Sequence, residues 1–459
     1  MQTETIKRIL GMTMMAGATA MLVACGGTDP GDDNQGPGDP GAIGEEAASS
    51  LSRDLSPDVA AETVAELAAG NREFAFEVMR TIREEDEDEE VENLFLSPHS
   101  ISLALAMTYA GAVNNTEAEM AEALRFTLPQ EELHPAFNAL DLELATRAEF
   151  EREDPDDEGQ SFTLDIVNQT WGHYDFDFQA PYLDTIAVNY GAGIRLVDFV
   201  TNFEEIRLAI NAWVEEQTRD RIQDLLPPNS LTETTRFVLV NAIYFYGSWD
   251  TPFNADATSD QPFQRLDGST VDVPMMNQGG MVRYAETDHS LAVSIPYVGE
   301  QVSMVAFMPL SEEDDFETWE DALNHEEFDA LARNLSLVDG QFHLPRFESE
   351  STTELKDVLK AMGMVEAFER READFEGITG VGPGIDFQSL YISDIFHKTF
   401  VSVDEEGTEA AAATAVVMGT PTSAPLDPID VRFDRPFYYA IYDHPTETVL
   451  FLGRMVDPS

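Results

Sequence analysis

The chain has 459 residues, 43% of them hydrophobic and 10% aromatic, which is enough to fill a sizeable core. Asp and Glu number 87 against 26 Lys and Arg, a net charge of −61. That balance excludes most nucleic-acid roles, because little is available to neutralise phosphates, and it argues against binding heparin-like polyanions or anionic lipid through charge. The acid excess reads as a solubility device, suited to salty surroundings where screening relieves self-repulsion.

In chain order, the first signal is N-terminal. Lys7 and Arg8 precede an apolar run over residues 9–20, and "LVAC" closes at Cys25. The run is short for a membrane span and reads as a signal peptide over residues 1–24. "LVAC" resembles the bacterial lipobox, which implies that Cys25 is acylated and becomes the first mature residue. Gly26 follows where an aspartate would signal inner-membrane retention, so the resemblance implies the outer membrane. The expected location is the bacterial cell envelope, lipid-anchored, with extracellular release as the alternative. Cys25 is the only cysteine, so the chain has no internal disulfide and no catalytic thiol in its body. Residues 25–56 are rich in Gly, Pro, Asp and Ser without apolar periodicity and read as a disordered tether.

The folded part is expected over residues 57–459. Phe74, Ala75, Val78, Met79 and Ile82 follow helical spacing. The acidic run at residues 84–90 lacks the glycine turn and alternating ligands of a calcium loop and reads as a solvated loop, as does the acidic stretch around Asp156. Two helices are expected over residues 100–107 and 118–124, broken at "GAVNNT". "TRFVLVNAIYF", residues 235–245, is almost continuously apolar and suits a central strand covered on both faces. "LAVSIPY" and "VSMVAFMPL" read as alternating strands. "TTELKDVLKAMGM" reads as a short helix with Leu355, Val358, Leu359 and Met362 on one face. "VRFDRPFYYAIYD" and "TVLFLGRMVDP" read as two strands around a turn at residues 443–446. Helices early and strands late favour an α+β architecture.

Enzyme signatures are missing. The sequence contains no nucleophile elbow, no H-E-x-x-H and no phosphate loop. The eight histidines are scattered, and no two share a helix at ligand spacing. Ser97-Pro98-His99 has the residue types of a nucleophile and base, but proline followed by an apolar helix makes Ser97 or Ser100 an N-cap.

Several stretches taken together resemble the serpins in order and spacing. They are "NLFLSPHSISLALAMTYAGAVNNTEAEM" from Asn93, "FVLVNAIYFYGSWDTPF" from Phe237, "HLPRFESESTTELKDVLKAMGM" from His343, "ADFEGI" from Ala373, "HKTFVSVDEEGTEAAAATA" from His397, and "FDRPFYYAIYD" with "VLFLGRMVDP" at the end. The resemblance implies a metastable α+β fold. It has a large, mostly antiparallel central sheet, two further sheets, about eight or nine helices and an exposed reactive-centre loop, here about residues 405–430. It implies a monomeric protease inhibitor, not an enzyme, without cofactor or metal. The partner would be a serine protease, or alternatively a cysteine protease. That protease cleaves the loop, forms an acyl-enzyme, and is trapped when the loop enters the main sheet as a new strand.

The same resemblance assigns residues. Glu405, Glu406, Gly407, Thr408, Glu409, Ala410, Ala411, Ala412, Ala413 and Thr414 form the hinge, with Gly407 at the bend where insertion begins. Thr408, Ala410, Ala412, Thr414 and Val416 alternate toward one side and are small or β-branched, while Glu409 falls on the other. Ser97, Ser100, Asn241 and His397 match the shutter beneath the sheet. Trp249, Arg346 and Glu405 match the breach at its top, the last two as an ion pair. Asn114 stands where the family usually has glycine, and asparagine tolerates that backbone region. Counting fourteen residues on from Gly407 sets the scissile bond after Pro421, before Thr422; cuts after Met418, Thr420 or Thr422 are alternatives, because proline is an unusual residue to present to a protease. No Lys or Arg lies between Glu409 and Asp427, which suggests an elastase-like or broad protease. The competing reading is a non-inhibitory serpin serving as a surface binding or structural protein.

Overall fold

The computed structural model describes residues 44–85, 93–148, 161–311, 314–385, 389–408 and 428–459. Cys25 and the signal segment lie outside them, as do residues 86–90 of the acidic run, whose first two residues, Glu84 and Glu85, are helical and not loop, the stretch around Asp156, and every hinge or cleavage residue from Glu409 to Thr422.

Helix α1 (Ala61–Glu85) buries Phe74, Ala75, Val78 and Met79 at the spacing of one helical face. In α2 (Pro98–Tyr109) every residue is buried, so this helix runs through the core. Ser97 caps it by accepting from the Ser100 amide, and Pro98 fits the first turn, where no N–H partner is needed. The chain then turns into α3 (Asn114–Ala123) through Asn114 at φ +58°, a left-handed conformation that asparagine adopts more readily than most residues. The remaining helices are α4 (Gln130–Ala145), α5 (Ala180–Tyr190), α6 (Phe199–Gln217), α7 (Phe316–Ala322), α8 (His325–Asn334), α9 (Leu355–Ala361) and α10 (Glu376–Thr379).

Two sheets carry the strands. The main sheet contains β1 (Glu45–Ala47), β3 (Phe162–His173), β4 (Ile194–Val197), β5 (Phe237–Ser248), β11 (Phe347–Glu354), β12 (Ile395–Val403) and β13 (Gly407–Thr408), in the order β1-β4-β3-β5-β13-β12-β11. Central β5 reads as one apolar run because both its faces are covered. Leu239, Ile243 and Phe245 enter the main core, while Val238 and Val240 pack with Phe396 against Phe199, Ile210 and Trp213 of α6.

The second sheet contains β2 (Leu94–Leu96), β6 (Ser259–Gln264), β7 (Thr270–Glu286), β8 (Ser290–Pro296), β9 (Val302–Pro309), β10 (Ser336–Pro345), β14 (Ile429–Arg432), β15 (Phe437–Asp443) and β16 (Thr448–Met455). The two further sheets expected from the sequence are continuous here, because long β7 pairs with β6, β10 and β8 along its length.

Four local expectations are corrected. The disordered tether drawn to residue 56 is too long: Glu45–Ala47 pair with Ile194–Leu196 at the edge of the main sheet, Ser49 bonds Asp184, and Arg53 holds Asn138 and Asp141. "VRFDRPFYYAIYD" is two strands. Pro436 lacks the N–H a ladder needs, so β14 ends before it and pairs with β10, while β15 lies between β9 and β16. β9 does not alternate in exposure, since both faces are covered, with Phe307 packed on Phe76, Trp319 and Phe328. The helix at "TTELKDVLKAMGM" begins only at Leu355, because Thr352, Thr353 and Glu354 pair in β11 with Lys398, His397 and Phe396.

Candidate functional site

The site begins with a parting in the main sheet. β5 and β12 pair directly, in parallel, from Leu239–Ile395 to Ala242–Lys398. Beyond that they separate. From the other end β13 lies between them, with Gly407 opposite Ser248, and Thr408 opposite both Gly247 and Val403. Among the described residues, no strand pairing joins 243–246 on β5 to 399–402 on β12.

The mouth of this parting is built by short-range hydrogen bonds. The Asp404 carboxylate accepts from the Glu406 and Gly407 amides at 2.8 and 3.1 Å, fixing the turn that feeds β13. Burial raises the Asp404 carboxyl above its ordinary value; those two amides oppose the shift, and the Glu405 carboxylate adds to it. The Glu406 carboxyl is raised too, by burial first and then by Asp404 and Glu405. Trp249 is fully buried and donates its amide to the Glu406 carbonyl and its indole N–H to the Asp404 carbonyl, both at 2.9 Å. The Phe253 amide bonds the Glu405 carbonyl at 2.7 Å.

Gly407 is not the bend that its sequence position suggests. It lies within the ladder, and a Cβ there would sit 2.2 Å from the Gly247 carbonyl oxygen and 2.8 Å from Ser248 Cα. Close backbone approach explains the glycine. Thr408 is 1% exposed, and its hydroxyl is 2.8 Å from that of Tyr297.

Arg346 Nη1 stands 3.9 Å from Glu405 Oε2, with the arginine side chain half exposed. At that distance and exposure the pair contributes a few tenths of a kcal/mol, up to about 1. Glu405→Lys would set two cations side by side against the mouth. The expected result is polymerisation on mild warming, read by size-exclusion chromatography; a variant that elutes and unfolds as the wild type does would refute a restraining role.

Below the parting lies a buried polar network. The Ser97 amide donates to His397 Nε2 at 3.0 Å, so Nε2 carries no proton, and Nδ1–H points to Asn241 Oδ1 at 3.2 Å. Asn241 Nδ2 donates to the Ser100 carbonyl at 2.9 Å and to Asn168 Oδ1 at 2.6 Å. Ser97 Oγ donates to the Leu450 carbonyl at 2.7 Å. The network ties β16, the start of α2, β12, β5 and β3 together. Burial pushes the His397 imidazole down to about 3, so it is neutral at ordinary pH.

Ser97, Ser100, Asn241 and His397 therefore sit in one cluster, and Trp249, Arg346, Glu405, Glu406, Gly407 and Thr408 in another at the mouth. Asp404, Asn168 and Tyr297 were not singled out in the sequence. Among the described residues no group of three acidic, histidine or cysteine side chains could hold a metal ion.

In this arrangement the short strand β13 is seated between β5 and β12, above a buried polar network. The chain belongs to the serpin family: the family model "Serpin (serine protease inhibitor)" matches residues 69–458, and serpins are protease inhibitors, not enzymes. It is 34% identical to mouse (Mus musculus) antithrombin-III over 88% of this chain and 84% of that one. It is 36% identical to the leukocyte elastase inhibitor of Sus scrofa, covering 86% of this chain and all of that one. An uncharacterized serpin-like protein of Thermococcus kodakarensis is 37% identical over 80% of this chain and 81% of its own. Among solved structures, the thermophilic serpin tengpin in the native state matches with a TM-score of 0.75 at 28% identity, over 91% of this chain and all of that one.

Proposed function

We propose that the protein is an inhibitory serpin, a monomeric suicide substrate that traps a serine protease by loop cleavage and strand insertion. The observation that carries this reading is the seating of Thr408 between β5 and β12, antiparallel to both. Carried forward one residue at a time, that register sets Ala410 opposite Phe245 and Val401, and Ala412 opposite Ile243 and Thr399. Among the described residues β5 and β12 are not paired with each other at these positions, so these residues would enter without breaking a β5–β12 ladder. Ala413 would then reach the Ala242–Lys398 pair, and Thr414 would reach Asn241 and His397. From there insertion must break the parallel β5–β12 ladder. New antiparallel hydrogen bonds on both edges replace it, and paired strand edges drive the exchange. Nothing in the strip from Thr408 to Val416 is bulky, and its charged residue, Glu409, falls on the face opposite Thr408.

The absence of basic residues from the loop favours an elastase-like or broad target, with cleavage after Pro421 or after Met418, Thr420 or Thr422. The test is incubation with a panel of serine and cysteine proteases followed by denaturing electrophoresis. A complex that survives SDS supports trapping; cleavage without complex, across the panel, overturns it in favour of a non-inhibitory surface role.

The same reading includes anchoring at Cys25 to the bacterial outer membrane. Its support is the charged, apolar and "LVAC" sequence at the N-terminus. Cys25→Ser is expected to leave the precursor unprocessed or to release the protein from membranes. Unchanged processing and unchanged membrane fractionation in that variant would refute the anchor.

A further inference from the structure

We propose that Tyr297 is a positioning residue for loop insertion: its buried hydroxyl holds Thr408 in the mouth of the main sheet and sets the register in which the new strand starts. The proposal rests on the insertion reading above and adds to it a residue outside the hinge, the shutter and the breach.

Tyr297 is fully buried, and its ring is fixed from several sides. It stacks on Trp249 at 4.7 Å between centroids and 14° between planes, and meets Phe245 edge-on at 5.1 Å. Its backbone forms a bridge with Trp249, and its amide bonds the Val302 carbonyl. A ring held this way cannot follow a departing partner. Glycine at 247 makes the room: a Cβ there would come within 2.7 Å of the Tyr297 ring.

The hydroxyl is buried, 2.8 Å from Thr408 Oγ1. With Thr408 seated, both hydroxyls are satisfied. With Thr408 withdrawn, the threonine can bond water while the tyrosine hydroxyl stays buried without that partner, and a buried unpaired hydroxyl is costly. The bond therefore favours the seated hinge. It also discriminates between registers. A slip of one residue moves every strand side chain to the opposite face. Glu409 would then stand where Thr408 stands, and the small residues behind it would face the wrong way.

The test is a double-mutant cycle of Tyr297→Phe, Thr408→Val and the pair together. Each single variant leaves one buried hydroxyl unmatched; the pair removes both, and replacing both partners with apolar groups of similar shape is nearly neutral. The first readout is hydrogen exchange of the 403–408 segment in the intact protein. Each single variant is expected to raise exchange by about tenfold, and the pair to return it close to wild type. The second readout is the moles of inhibitor cleaved per mole of protease trapped, which should rise in each single variant and fall back in the pair. Should Tyr297→Phe fail to fold, Thr408→Val alone decides through the exchange readout. A purely structural tyrosine would show no rescue by the second substitution. Unchanged exchange in Thr408→Val, or a pair that is worse than either single variant, overturns the proposal. If the wild type traps no protease, the inhibitory reading fails while the exchange readout still decides the role of Tyr297.

Discussion

Acidification from pH 6.5 toward pH 3 is expected to destabilise the wild-type protein, relative to a His397→Gln variant, by about 4–5 kcal/mol at the acid limit. The sign follows from burial. In the folded chain the imidazole is held down to about 3, against 6.5 when exposed, because a charge there would be desolvated and Nε2 already accepts the Ser97 amide. Well above pH 6.5, near pH 8, neither state is protonated and His397 contributes no pH dependence. Between pH 6.5 and about 3 the unfolded chain takes up the proton and the folded chain does not, so stability falls as pH falls. Glutamine can accept from Ser97 through its oxygen and donate to Asn241 through its nitrogen, without titrating. The comparison also cancels other effects of acid. Burial lowers His99 and His134 to about 4 as well, and the many carboxylates lose charge on the same path. Urea unfolding of both proteins from pH 8 to pH 4 checks this. The gap between their midpoints should level off near pH 8 and should move steadily against the wild type as pH falls through 6.5. A gap that does not change with pH would mean that His397 is not held neutral by this network.

Much of the architecture was legible because its signals are local and periodic. The helical face of Phe74, Val78 and Met79, the apolar run of β5 and the capping of α2 at Ser97 all rest on residue spacing. The missing pieces depend on distant partners. "EEA" at residues 45–47 has no strand pattern; it pairs only because the edge of β4 is there to receive it. Asn168 and Asn241 lie on neighbouring strands, and Tyr297 meets Thr408 from 111 residues away. No periodicity records such contacts. The shutter cluster was reached through family resemblance, since Ser97, Ser100, Asn241 and His397 are too far apart in the sequence for spacing to unite them. Asp404 was hidden for another reason. In "VDEEG" it looks like one more solvated acid, and its bonds to the next turn of backbone appear only once the chain is folded.

Under the trapping mechanism proposed above, Thr408→Arg is expected to turn an inhibitor into a substrate. The Thr408 side chain is 1% exposed and meets the hydroxyl of Tyr297, whose ring is packed on Phe245 and Trp249. A guanidinium there has two options. It can be buried against aromatic rings without a carboxylate partner, which costs several kcal/mol. Or it can keep Gly407 and Thr408 out of the ladder, so the strand has no start. Both slow the first step of insertion, and neither touches hydrolysis of the acyl-enzyme, which then wins the race. The expected result is cleavage at the same bond at a similar rate, with no complex on denaturing gels. Glu409→Arg is the control, because alternation places residue 409 on the opposite face from Thr408. It should retain most trapping, since one charged side chain there replaces another. The contrast between adjacent positions is what only a strand produces; a helix or a linker would give no alternation of period two. Equal trapping by both variants, or equal failure of both, would show that the strip after Gly407 does not enter the sheet in the register set by Thr408, Gly247 and Val403.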